Sequence, residues 1–216
     1  MDAEFFRAWI AEIAAVVETQ RDHLTQLDSA IGDADHGTNL SRGFTAVQAA
    51  LAQADTPTPG SVLLLTGSTL ISKVGGASGP LYGTAFRRAS KALGDETEVD
   101  LPALAGALEA ALAGVQKLGA AREGEKTMVD ALAPAVGAFS KAVAEGAPAD
   151  EALSALTDAA DAGAQATISM QALKGRASYL GPRSVGHEDP GAASTALILH
   201  ALRDVALRDV TARQAS

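Results

Sequence analysis

The 216-residue chain is 47% apolar, but only 4% of its residues are aromatic and none is cysteine. The lack of cysteine excludes disulfide frameworks and thiolate zinc sites. A formal net charge of −9 argues against duplex nucleic acid as a partner, because a phosphate backbone favours a basic face. Alanine, leucine and glycine dominate, so we expect one all-α domain over residues 1–216, with a core of closely packed helices.

The N-terminal segment carries Asp2 and Glu4 in place of a basic region, which argues against a targeting signal. No uninterrupted apolar run approaches the roughly 20 residues that span a bilayer. These features predict a cytoplasmic protein with neither membrane nor nucleic-acid partners.

Apolar periodicity predicts about eight helices in chain order. The residues from Phe5 to Leu27 recur at helical spacing after Asp2, a favourable N-cap, and predict one long first helix. A second stripe, from Leu40 to Leu51, ends at the Pro- and Gly-rich segment 56–60. A third helix, capped by Ser61, ends at a Gly-rich junction over residues 74–80. Further helices are predicted over residues 82–93, 100–118, 127–145, 149–173 and 189–210.

The turn between the first two apolar stripes contains three carboxylates, those of Asp28, Asp33 and Asp35. Carboxylates crowded together repel one another unless a cation neutralises them, and oxygen ligands suit Mg²⁺ or Ca²⁺ better than zinc. We therefore predict a metal site at this helix junction. An EF-hand is disfavoured, because Gly37 stands where a third alternating ligand belongs and no glutamate closes the loop. A solvated turn of capping aspartates is the remaining alternative.

Two neighbouring features are typical of phosphate contacts. His36 beside a metal-bound phosphate is able to donate a hydrogen bond, and free N–H groups at a helix start bind anions, although Asn39 equally suits a helix cap. The small residues 75–79 let backbone amides approach a diphosphate, but glycine clusters also occur where helices pack closely.

The segment 119–127 superficially resembles a Walker A loop. Glu125 separates the second glycine from Lys126, and no strand precedes the segment, so we reject that fold and predict an ordinary helix start at Lys126. The polar segment 174–191 has no helical period and carries Arg176 and Arg183, which fit either phosphate binding or surface pairing. It ends in Asp189 and Pro190, the expected start of the last helix.

Four motifs follow one another in a fixed order: the acidic turn, the Gly-rich segment 75–83, the segment 124–130 and the segment 175–181. Together with residues 186–192, they make nearly the whole chain resemble the nucleotide-binding L subunit of dihydroxyacetone kinase. The chain departs from the family's pattern at Ala34, where the family usually has glycine, and at Leu40, where methionine is common. A methyl group at position 34 matters only if that residue needs a positive φ.

The resemblance implies an eight-helix antiparallel up-and-down barrel with the nucleotide held by interhelical loops at one end. It implies that Asp28, Asp33 and Asp35 hold two Mg²⁺ ions against the diphosphate of ADP or ATP. Arg176 is our choice for the catalytic residue that stabilises charge on the transferred group. The implied nucleotide contacts are His36, Gly37, Thr38, Asn39, Ala77, Ser78, Gly119, Met128, Arg176, Asp189, Pro190 and Gly191.

The implied activity is that of the ADP-binding subunit of a phosphoenolpyruvate-dependent dihydroxyacetone kinase. In that reading, a phosphohistidine donor subunit phosphorylates bound Mg·ADP in place, and the phosphoryl group passes to dihydroxyacetone on a separate K subunit. The alternatives are an ATP-dependent kinase subunit for dihydroxyacetone or another ketose, and a nucleotide-dependent regulatory protein. A helical module with only a structural cation is a third.

Overall fold

The computed structural model describes the backbone of residues 1–214 and the side chains of residues 1–209. The described backbone forms nine α-helices and two short 3₁₀ segments, without a β-strand. The α-helices are α1 (Ala3–Thr19), α2 (Arg21–Ile31), α3 (His36–Leu51), α4 (Pro59–Lys73), α5 (Ser78–Leu93), α6 (Leu101–Gly119), α7 (Val129–Ala144), α8 (Ala149–Ala166) and α9 (Pro190–Gln214). The predicted all-α class is confirmed.

The helices close into a ring. From α3 onward each helix packs against the next in the chain, α9 packs back onto α1, and α1 contacts α3. The ring within the described residues therefore has eight members, with α2 continuing α1 toward one end. Successive ring members alternate in direction, so the connections after α2, α4, α6 and α8 meet at the same end. Residues of all four connections line one cavity there.

The few aromatic residues are concentrated where α1, α3 and α5 meet. The ring centroids of Trp9 and Phe86 lie 5.7 Å apart, and those of Phe44 and Phe86 lie 6.3 Å apart. The Trp9 indole N–H donates to the Ile198 carbonyl at 3.0 Å, which joins α1 to α9. Aromatic pairs at such separations contribute about 0.5–1.5 kcal/mol beyond their buried area. They fix the helices whose ends carry the acidic turn and the Gly-rich segment.

Two predicted helix starts and one predicted single helix are wrong. The long first helix breaks at Gln20, whose ψ of 6° takes the backbone out of helical geometry, so α1 and α2 are separate. The third helix is capped by Thr58 instead of Ser61, because the two side chains bond each other's backbone N–H groups in a capping box. The helix predicted from Tyr82 begins one turn earlier, at Ser78.

The helix predicted to reach residue 173 ends at Ala166. There the Thr167 hydroxyl donates to the Ala164 carbonyl, and the chain tightens into the 3₁₀ segment Thr167–Ser169. The polar segment without a helical period contains a second 3₁₀ segment, Arg176–Ser184, which is interrupted at Gly181. Within the described part of the chain, no helix is both long and apolar enough to cross a membrane.

Candidate functional site

The three predicted metal ligands converge at the junction of α2 and α3. One carboxylate oxygen from each of Asp28, Asp33 and Asp35 lies within 4.8 Å of the others. Asp28 is buried in the last turn of α2, and its Oδ2 atom accepts the backbone N–H groups of Asp35 at 2.8 Å and His36 at 3.2 Å. These bonds hold the turn against the end of α2.

Residues with small or absent side chains shape the acidic turn. A Cβ atom on Gly32 would lie 2.0 Å from the Oδ1 atom of Asp28, so glycine leaves that carboxylate in place. Ala34 adopts a φ of +60°, a left-handed conformation that its methyl group disfavours. The departure from the family's glycine thus falls at a position where the backbone does need positive φ.

The donor set of this turn fits a hard divalent cation. It consists only of carboxylate oxygens, which Mg²⁺ and Ca²⁺ prefer, and these oxygens lie close enough together to share one cation. Arg176 is the counter-charge present in the structure, because one of its guanidinium nitrogens lies 3.1 Å from the Asp33 carboxylate. Both side chains are substantially exposed, so water screens this pair.

The start of α3 and the Gly-rich segment before α5 lie beside the carboxylates. The N–H groups of Gly37 and Thr38, in the first turn of α3, have no hydrogen-bond partner among the described residues. Asn39 does not cap the helix: it is buried one turn inside, and its Oδ1 atom accepts a bond from Arg42 at 2.8 Å. Gly75 lies next to the Asn39 carboxamide, which brings the Gly-rich segment against this turn. Unpaired N–H groups at such a position attract phosphate.

A cavity of about 290 Å³ opens between these elements. It is lined by most of the residues predicted as ligands: Asp28, Asp33, Asp35, His36, Ala77, Ser78, Gly119, Met128, Arg176, Asp189, Pro190 and Gly191. The exceptions are Gly37, Thr38 and Asn39, which lie in the first turn of α3 directly after His36. Four separate connections thus supply one pocket, acidic at one side and apolar near Met128.

Lys126 is a site residue that the sequence interpretation missed. It is not an ordinary helix start: its φ is +60°, its side chain is fully buried, and α7 begins only at Val129. Its Nζ atom donates to the carbonyls of Thr167, at 2.6 Å, and His187. Burial lowers the Lys126 pKa, against the opposing effect of Asp189. The ammonium therefore ties the α6–α7 connection to the α8–α9 connection under the cavity.

Asp189 and Asp130 complete this buried group. Asp189 caps α9 by accepting the Ala192 N–H at 2.8 Å, and burial raises its pKa to about 7 although Lys126 opposes the shift. Asp130 accepts the N–H groups of Gly124 and Thr127 and so closes the turn that carries Lys126. The sequence predicted the helix start at Asp189 and Pro190, whereas the signal for Lys126 and Asp130 was the charged run within the segment 124–130.

A chain of hydrogen bonds also connects three of the loops. His36 Nε2 lies 2.8 Å from the Ser194 hydroxyl, which lies 2.6 Å from the Tyr82 hydroxyl. The Tyr82 hydroxyl also lies 2.9 Å from the Thr195 hydroxyl and 3.0 Å from the Gly191 carbonyl. Burial lowers the pKa of His36 and raises that of Tyr82 to about 12, so both are uncharged at neutral pH.

Comparison with known proteins gives consistent matches. Residues 30–204 match the model of the DAK2 domain. The chain is 42% identical over 201 residues to the ADP-binding subunit DhaL of PEP-dependent dihydroxyacetone kinase 1 from Listeria innocua, covering 93% of this chain and 96% of that one. It is 42% identical over 194 residues to the corresponding Escherichia coli DhaL subunit, covering 90% and 92% of the two chains.

A solved structure has the same fold. The dihydroxyacetone kinase from C. freundii, in complex with AMP-PNP and Mg²⁺, superposes with a TM-score of 0.72 at 28% identity. The match covers 94% of this chain but 34% of that one, so the chain spans about a third of that kinase.

The left-handed Ala34 gives a stability prediction. Ala34→Gly removes the steric cost of positive φ but adds conformational entropy to the unfolded chain. We expect the free energy of unfolding to rise by about 0.5–1 kcal/mol on balance. Urea denaturation in the presence of EDTA measures it. Ala30→Gly, the same substitution at an exposed position in the last turns of α2, should instead destabilise. Equal signs for the two variants would contradict the strain at position 34.

Proposed function

Since this chain belongs to the DAK2 domain family, we propose that it is the ADP-binding subunit of a phosphoenolpyruvate-dependent dihydroxyacetone kinase. The observation that carries the proposal is the match to subunits of that name over more than nine-tenths of both chains. The geometry adds a physical reason, because a carboxylate cluster lines the cavity and the unpaired N–H groups in the first turn of α3 lie directly beside it.

We propose that Asp28, Asp33 and Asp35 hold two Mg²⁺ ions. The carboxylates attract the cations, and the first turn of α3 with the Gly-rich segment receives the phosphates. The apolar wall at Gly119 and Met128 receives the nucleoside, and residues 189–191 border it. The bound nucleotide supplies the phosphoryl-carrying group, and Mg²⁺ neutralises the phosphate charge.

Phosphoryl transfer requires mainly positioning and charge stabilisation, so this chain needs no nucleophile. The proposed catalytic residue is Arg176, whose guanidinium already reaches the acidic turn from the α8–α9 connection. A planar guanidinium binds two oxygens of a phosphoryl group at once, which lysine does not do.

We propose that a dihydroxyacetone-binding K subunit and a phosphohistidine donor subunit dock over the cavity end, in the nucleotide-containing cytoplasm. Two elements at that end, the last turn of α6 and the α8–α9 connection, carry exposed large apolar side chains: Leu118, Ile168, Leu173, Tyr179 and Val185. Exposed apolar groups of this kind mark interaction surfaces when they cluster. Residues 1–216 would act there as one domain.

An ATP-dependent kinase subunit is the second candidate. The observation in its favour is the similarity to the C. freundii kinase, whose structure holds AMP-PNP, an analogue of ATP. The two candidates differ in whether the nucleotide remains bound through the cycle or exchanges at every turnover.

Nucleotide retention distinguishes the two candidates. Mass spectrometry of the small molecules released by denaturing the purified protein should detect ADP in a one-to-one ratio to protein. Excess Mg·ATP should not displace the ADP on the time scale of turnover. Free exchange would favour the ATP-dependent candidate, and a protein that binds no nucleotide would rule out both.

Replacing one ligand tests the metal site. Asp33→Asn keeps the size of the side chain but removes a charge, and we expect Mg·ADP affinity to fall at least about 100-fold, since loss of outer partners alone costs about 10–100-fold. Calorimetric titration measures the affinity, and circular dichroism checks the fold. Asp158→Asn removes the same charge from an exposed position on α8 and should bind normally. Retained affinity in Asp33→Asn would refute the metal assignment.

The proposed role of Arg176 predicts a kinetic effect. Arg176→Ala should slow phosphoryl transfer about 100-fold, as does the loss of other transition-state donors, while the Mg·ADP dissociation constant changes less than about fivefold. Arg183→Ala, which removes an exposed arginine from the same connection, is the matched control. An affinity loss without a slower transfer step would argue against the catalytic role.

A further inference from the structure

The hydrogen-bond chain through Tyr82 joins segments that are far apart in the sequence. His36 follows the acidic turn, Tyr82 belongs to the first turns of α5 after the Gly-rich segment, and Ser194 lies in the first turns of α9. The starts of these three helices contribute residues to the cavity. The chain is therefore a physical connection between the proposed metal site and the segment 189–191.

The hydrogen bonds of Tyr82, Ser194 and Thr195 lie in the protein interior. Ser194, Thr195 and Tyr82 are all buried, with 4% exposure at most, so water does not replace their bonds. Each hydroxyl has one hydrogen to donate, and the Gly191 carbonyl, which only accepts, ends the chain. Hydrogen bonds in such a chain polarise one another in a low-dielectric interior.

We propose that Tyr82 is a positioning residue of the nucleotide site, which acts through Ser194 on the His36 ring and through Gly191 on the start of α9. Its hydroxyl holds the two sides of the cavity in the spacing that Mg·ADP requires. The proposal rests on the proposed function, because it gives these hydrogen bonds a role in nucleotide binding. Tyr82 lines the cavity but acts through its neighbours.

Loss of the Tyr82 hydroxyl should leave the fold intact. In Tyr82→Phe the ring still fills its place, and the Ser194 and Thr195 hydroxyls retain the Gly191 carbonyl as an acceptor, at 3.2 and 2.8 Å. Ser194 is then free to turn away from His36, so the ring of His36 loses its fixed orientation. Ser194→Ala breaks the same connection directly at His36.

The experiment compares Mg·ADP affinity in Tyr82→Phe, Ser194→Ala and the double variant by calorimetry. We expect each single variant to weaken binding about tenfold, the lower end of the effects of outer-shell partners. The Mg·ADP affinity of the double variant should lie within about twofold of that of the weaker-binding single variant, because both substitutions break the same connection. Effects that multiply in the double variant would overturn the proposal.

A matched control separates positioning from general stability. Thr66→Val also removes a fully buried hydroxyl, one that bonds the Val62 carbonyl within α4, away from the cavity. It should lower the melting temperature without changing Mg·ADP affinity. If Tyr82→Phe behaves in the same way, the tyrosine is only structural and the proposal is wrong.

A second readout needs no ligand. At neutral pH, ¹⁵N NMR of the imidazole ring should show one tautomer for His36 in the native chain and a mixture in Tyr82→Phe and Ser194→Ala. An unchanged ring signal in both variants would overturn the proposal. Failure of the native chain to bind Mg·ADP would refute the proposed function instead, while the ring signal still decides whether the chain of bonds orients His36.

Discussion

The site depends on three carboxylates held within 4.8 Å of one another. Like charges at this distance repel, so an unconstrained chain would separate them in solvent. The structure opposes that tendency with covalent and packing constraints: Asp28 is buried in a helix end, two backbone N–H groups bond its carboxylate, and Gly32 leaves room for it. The cation affinity proposed for the turn would be a consequence of this enforced proximity.

The ring of helices provides the constraint. Alternating directions bring every second connection to one end, and the last helix closes on the first. The connections differ in length, from residues 32–35 between α2 and α3 to residues 167–189 between α8 and α9, whereas the helices are anchored by the aromatic contacts among α1, α3 and α5. A rigid frame with variable loops at one end is suited to positioning ligands, because helix ends move little once their bodies are packed.

Sequence patterns predicted most of the fold and much of the candidate site. Helix periods depend on local apolar spacing, and the acidic turn is contiguous, so both are readable along the chain. Where a predicted helix boundary was wrong, a local hydrogen bond set a different one. At the start of α4 these are the reciprocal bonds of Thr58 and Ser61. The strain at Ala34 was conditional on backbone geometry, which only the structure reveals.

The interactions that escaped prediction join distant segments. Lys126 looked like a helix start because its partners, the carbonyls of Thr167 and His187, are backbone groups without any sequence signature. Tyr82 was interpreted only as the start of a helix, since its bond to Ser194 depends on α9 lying opposite α5. Side chains that serve through tertiary contacts cannot be recognised from spacing alone.

The exposed pair between Arg176 and Asp33 bears on the order of events at the site. Asp33 is also one of the three residues proposed to hold a divalent cation, so the guanidinium and a bound ion would share its carboxylate. If Asp28, Asp33 and Asp35 hold Mg²⁺ as proposed, the ion would weaken the pair between Arg176 and Asp33, and the arginine's charge would become available to the transferred group once the ion is bound.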